Sequence, residues 1–208
     1  MNSKVFGSFM IVGPILAMVM WSVFVPEVGD LSISDGLDKL IANDVAVRFG
    51  SLVGAIGFLL MLLGLFFLSR TLRSGNSTGI ICAEISGLML ISMFALVFVW
   101  EGAAVDALDQ AVTDRAAAEG ILIASEITGA FGDVLITATI FLLGVALAVQ
   151  RKFHVVVGCL VMLVAICGFL NGIISEGPDI MGFVGWMGIM LMTIIMGIGS
   201  VVQKQNQR

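Results

Sequence analysis

The 208 residues are 59% hydrophobic and 12% charged, with 10 Lys and Arg against 15 Asp and Glu. So apolar a chain leaves no room for a soluble domain, and residues 1–208 are expected to form one membrane domain whose first partner is the lipid bilayer. Its few basic residues are scattered pairs beside apolar segments, which excludes a nucleic-acid partner.

Six apolar segments lie at roughly 5–25, 48–69, 79–100, 128–149, 154–174 and 180–201. At ~1.5 Å per residue each can cross ~30 Å of hydrocarbon. The fold class implied is all-α: a polytopic six-transmembrane-helix bundle with short interfacial helices on its outer face. In the first segment, Lys4 precedes the apolar run, and Val23-Phe24-Val25-Pro26 lacks a small-residue cleavage pattern, so an uncleaved span is expected. Gly13-Pro14 should bend it.

The first connection, 26–47, carries Glu27, Asp30, Asp35, Asp38 and Asp44. Leu37, Leu40, Ile41 and Val45 recur there at helical spacing, and Ser32 with Asp35 predicts a capping box opening an amphipathic helix. The second connection turns at Gly75-Asn76 between Arg70 and Thr78. The third, Glu101 to Glu119, adds Asp106, Asp109 and Asp114; it should either prolong its flanking spans or form a short helix. Gln150-Arg151-Lys152 is barely a turn, and Ser175-Glu176-Gly177-Pro178-Asp179 is another. Acids thus fill the odd-numbered connections. The opposite face carries Lys4, Arg70, Arg73, Arg151, Lys152, Lys204 and Arg208, seven of the ten basic residues. The positive-inside rule then places both termini in the cytoplasm and the chain in the inner membrane.

Three acids remain within or beside the spans: Glu84, Glu126 and Asp133. Carboxylates at a span centre cost about 2.5–3.5 kcal/mol on insertion scales, so such residues usually face the bundle interior. Glu119, Glu126 and Asp133 recur every seventh residue, which puts them on one helix face; Thr137 extends the stripe and Gly129 leaves a gap in it. A polar groove descending from the outer surface follows. Arg48 is the expected counter-charge for Asp133 or Glu126, and Asn171 could join them. Glu84, near the opposite surface, would bracket a pathway or snorkel to the interface, paired with Arg70 or Lys152.

One histidine, His154, is too few for bis-histidine haem ligation or H-E-x-x-H zinc proteolysis. Cys82, Cys159 and Cys167 have no C-x-x-C spacing, and the 13 Met lack Cys or His beside them, so neither metal nor cofactor is expected, nor an enzyme. Small residues recur at Gly50-x-x-x-Gly54, Gly168-x-x-x-Gly172 and Gly182, Gly185, Gly188. Such faces suit close helix packing, and a second copy or another membrane subunit could use them as a docking surface.

The opening Gly7-x-x-x-Ile11-Val-Gly-Pro-Ile-Leu-Ala17, the long first connection, Glu84-x-x-Gly87 and Phe141-Leu-Leu-Gly144 before a basic turn resemble a family of bacterial and archaeal six-helix proteins, domain of unknown function 4386. The chain departs from it in Arg151-Lys152-Phe153-His154, where a Pro-containing turn is usual, and in lacking an Arg just before Glu84. The resemblance implies six-helix architecture and no activity. In layout the chain is also similar to the six-helix substrate-binding subunits of energy-coupling-factor transporters, with Gly13-x-x-x-Ala17 in the position of their docking motif. Two classes of function are expected: binding or transport of a small solute or cation through the outer groove, or a non-catalytic scaffold in a larger membrane complex.

Overall fold

Hydropathy and turn chemistry place the helices well. The computed structural model describes residues 3–28, 31–173 and 179–202; Asp30, the Ser175 to Pro178 turn, Lys204 and Arg208 lie outside the described residues. Its seven helices are α1 (Ser3–Phe24), α2 (Ile33–Ala42), α3 (Asp44–Thr71), α4 (Ser77–Ala111), α5 (Arg115–Gln150), α6 (Val155–Ile173) and α7 (Asp179–Val202). By length and composition α1, α3, α4, α5 and α7 can cross a membrane, and the apolar run of α6, Val155–Asn171, is shorter. α1 runs unbroken through Pro14.

Local signals explain the boundaries. Ser32 caps α2: its Oγ accepts from the Asp35 N–H at 3.2 Å and its O–H donates to the Asp35 carboxylate at 2.6 Å. The apolar face of α2 settles on protein, with Leu37 against Ala107 and Ala118 and Leu40 against Val47 and Leu108. The third connection takes the first of its two expected forms. α4 and α5 simply continue past the apolar segments and meet at 112–114, where Asp114 caps α5 by accepting from the Ala117 N–H at 3.0 Å. At the other end Gly75 turns the chain with φ +106°, a conformation only glycine adopts without strain. The Gln150 side chain ties that turn down: its amide donates to the carbonyls of Asn76 (3.0 Å) and Leu72 (3.3 Å) and accepts from the Asn76 N–H (3.1 Å).

The helices other than α2 form a closed ring in which α1 packs on α3, α3 on α4, α4 on α5, α5 on α6, α6 on α7 and α7 back on α1. Each neighbouring pair is antiparallel. α1 against α3 shows this well, since Gly50 meets Phe24, Gly54 meets Trp21, Gly57 meets Ala17 and Gly64 meets Met10. Antiparallel order gathers Lys4, Arg70, Arg73, Arg151 and Lys152 at one end of the ring. Glu27, Asp35, Asp38, Asp44, Asp106, Asp109 and Asp114 gather with α2 at the other. Phe58, Met61, Leu65, Leu90, Ile140 and Leu143, all buried, fill the middle.

The glycine faces are spent within the chain. A Cβ on Gly13 would sit 2.5 Å from the Met61 backbone N, and one on Gly185 would sit 2.5 Å from the Gly168 Cα. Gly182 and Gly188 seat Asn171 and Val164 in the same α6–α7 seam. Backbone on both sides leaves nothing to move aside, so Gly185→Ala should lower stability by about 1–3 kcal/mol. Gly102→Ala, in open space on α4, should instead raise it by up to ~1 kcal/mol. Thermal unfolding in detergent reads both; a Gly185→Ala protein melting with the wild type would deny the seam.

Candidate functional site

Asp44 of α3, Asp109 of α4 and Glu119 of α5 find partners at the acidic end of the ring. Arg48 binds Asp44, one turn back on its own helix (Nε to Oδ1, 2.6 Å), and Asp109 on α4 (2.8 Å). The expected pairing of Arg48 with Asp133 or Glu126 is therefore not made, because the upward extension of α4 delivers Asp109 first. Arg115 clasps α2 to α5 through Asp38 (2.7 Å), the Ser34 carbonyl (3.0 Å) and Glu119 (3.1 Å). The hydrogen bond from Arg115 holds the Asp38 carboxyl below the usual carboxylate range.

The stripe on α5 divides along its length. Glu119 is half-buried and paired with Arg115, whereas Glu126 is exposed and makes no ion pair among the described residues. Asp133 is half-buried and points inward. The gap expected at Gly129 is filled by the Trp100 indole, whose Nε1 lies 3.4 Å from where a Cβ would stand. About 10 Å³ remains beside Asp133, lined also by Gly132, Ile136 and Trp186, which is the room of one water molecule. Thr137 is buried and donates to the carbonyls of Asp133 (2.7 Å) and Val134 (3.1 Å), so its hydroxyl is committed to its own helix. It also lines an apolar groove of ≈ 400 Å³ between α5 and α6. Asn171 lies on Gly182 of α7, apart from the Asp133 cavity. Glu84 is exposed on α4, near the basic end, and makes no ion pair with Arg70 among the described residues; the Arg73 guanidinium lies over Gly87, one turn along.

Sequence reasoning missed the aromatic residues. Trp21 (α1), Trp100 (α4) and Trp186 (α7), all the tryptophans of the chain, meet around Phe58 of α3. Ring centroids are 5.7 Å apart for Trp21 and Phe58, 6.1 Å for Trp21 and Trp100, 6.2 Å for Trp100 and Trp186, and 6.1 Å for Phe58 and Trp186. These distances fall within the ~4.5–7 Å range over which aromatic pairs attract. Two carboxylates lie beside this cluster, Glu101 near the Trp21 indole and Asp133 near that of Trp186. On the α1–α7 side the cluster forms the wall of a cavity of ≈ 610 Å³ that reaches Glu27, Ser22 and Met187. Trp100 and Trp186 thus separate a large vestibule from the small chamber at Asp133. The one available signal was position, since each Trp lies near the acidic end of an apolar segment. That placement is also the ordinary interfacial belt of membrane helices.

Comparison of the chain with family models, with curated proteins and with solved structures found no match. The geometry alone carries the functional reading.

The pairing of Arg48 is directly testable. In a double-mutant cycle, Arg48→Gln should couple to Asp109→Asn and not to Asp133→Asn, and salt should weaken the coupling because the pair is solvent-exposed. Coupling to Asp133 alone would reverse the assignment.

Proposed function

We propose that the chain is a six-span inner-membrane protein with cytoplasmic termini that binds, and by extension transports, a small solute or cation entering at the acidic, outward end. The observation that carries this reading is the ≈ 610 Å³ cavity ending on three tryptophans, with carboxylates at its rim and behind its wall. That volume falls within the ~300–1,000 Å³ range of small-molecule sites, and a mostly apolar wall with a few polar groups is their usual make-up. The segregation of Lys and Arg to the opposite end supports the orientation. The roughly 26 Å that 17 helical residues span supports α6 as a sixth crossing that makes the ring complete. Likeness to the six-helix family belongs to the same proposal and adds no activity to it. α2 would lie in the outer interface, its exposed Ile41 and the nearby Val45 turned toward the headgroups.

A scaffold or accessory subunit is the second reading, favoured by the filled middle of the ring. Its partner would use surfaces other than the glycine seams, which the chain's own helices occupy.

Two measurements test the proposal. In sealed cells, on a background without Cys82, Cys159 and Cys167, a membrane-impermeant thiol reagent should label Asp109→Cys and spare Arg73→Cys. The converse pattern would invert the orientation. A stability screen of purified protein against small cations, amines and neutral solutes should find ligands that raise the melting temperature. At a hundredfold excess over Kd the gain is about 2.7 kcal/mol. For a cationic ligand Asp133→Asn should remove most of the gain while the unliganded melting point barely moves. No shift with any solute would leave the scaffold reading.

A further inference from the structure

The lining of the vestibule is selective about charge. Trp21, Trp100 and Trp186 present half-buried rings to it, Met187 and Met190 add apolar, polarisable surface, and Glu27 and Ser22 stand at its rim. Among the described residues no Lys or Arg lines it; Lys39 stands nearby, its ammonium held on the Glu27 carbonyl at 2.7 Å. Anions are therefore disfavoured. A small hard cation fares little better, because it needs about six or more oxygen ligands and no three acid, His or Cys side chains converge among the described residues. The tryptophan faces supply negative electrostatic potential without oxygen ligands, which attracts a cation too diffuse to demand a coordination shell. The Glu101 and Asp133 carboxyl groups lie beside the cluster, Asp133 behind the wall that Trp100 and Trp186 form.

We propose that this vestibule binds an organic ammonium ion bearing apolar substituents, with its charged nitrogen against the tryptophan wall and its apolar part along Met187 and Met190. The inference rests on the reading that the acidic end binds a solute, and it specifies the class. The carboxylates set the charge, the rings set a preference for alkylated over hydrated cations, and the cavity volume admits a small molecule of that kind.

The chain reports on this site without a label, because its only tryptophans line the cavity and it has no tyrosine. Intrinsic fluorescence of the purified full chain is titrated with choline at constant ionic strength. The titration is repeated with 3,3-dimethylbutan-1-ol, its neutral isostere, and with sodium chloride in place of an inert salt. Choline should produce a saturable change, and the isostere should bind at least about ten-fold more weakly. Trp186→Leu should weaken choline about ten-fold, read from the remaining tryptophans, whereas Trp186→Phe, which keeps a π face, should retain most of the affinity. Thermal melting checks that each variant is folded, and the choline-to-isostere comparison on the wild type stands whether or not they are. Equal binding of choline and its isostere would overturn the ammonium assignment and leave a neutral-solute site. A response to sodium with none to choline would also overturn it, leaving inorganic cation binding. Silence to all three probes, joined to a negative stability screen, would remove the underlying reading as well.

Discussion

Close backbone approach at glycine is the constraint on which the other features of this structure depend. Within lipid, apolar side chains gain nothing by leaving one another's company for acyl chains, so helices associate through van der Waals contact at short range. The α1–α3 seam meets that need through Gly13, Gly50, Gly54, Gly57 and Gly64, and the α6–α7 seam through Gly182, Gly185 and Gly188. Gly7 and Gly197 close the ring by meeting where α1 returns to α7. A side chain at any of these positions would push the helices apart, and the azimuth of every neighbouring residue would change. The position of Trp21 over Gly54 is one such consequence, since its indole occupies the space that a Cβ would take.

The two ends of the ring are built on different principles. At the basic end, short turns are pinned by backbone hydrogen bonds to Gln150, and bulky residues such as Phe153 pack against Gly199. At the acidic end, helices α4 and α5 outrun their apolar segments and create a platform for α2, clasped by Arg115 and Arg48. These bonds are exposed and individually weak, so the apolar seats of Leu37 and Leu40 hold α2 in place more than the ion pairs do. The acidic end is therefore the more loosely tied of the two, and it is the end where the interior opens.

Much of this organisation was legible in the sequence because it depends on local rules. Segment length and hydropathy located the apolar helices, Ser32 and Asp35 located the start of α2, and Gly75 marked a turn. Features that depend on the order of helices around the ring were not legible. Arg48 was assigned to Asp133 because both lie near the outer ends of their segments. The choice of Asp109 needs the knowledge that α4 continues helically for three turns and stands beside α3. The seven-residue stripe correctly put Glu119, Glu126 and Asp133 on one face of α5. It could not tell that Arg115 would take the first, that the second would stand exposed and that the third would lie beside an indole. Tryptophans near segment ends have an equally good explanation in the interfacial belt, and only the closed ring turns three of them toward a common centre.

The electrostatic position of Asp133 and Glu101 is the part of the structure that stability alone does not explain. Ion pairs satisfy Asp38, Asp44, Asp109 and Glu119, all at the surface where such pairs contribute least. Asp133 and Glu101 are half-buried beside indole rings and, among the described residues, make no ion pair. A carboxyl group so placed loses hydration that no cation restores. An apolar residue at either position would pack against the same rings without that cost, and the chain already supplies many of them nearby. Carboxyl groups kept beside an aromatic vestibule, with no ion pair among the described residues, form an arrangement that a positively charged guest would complete.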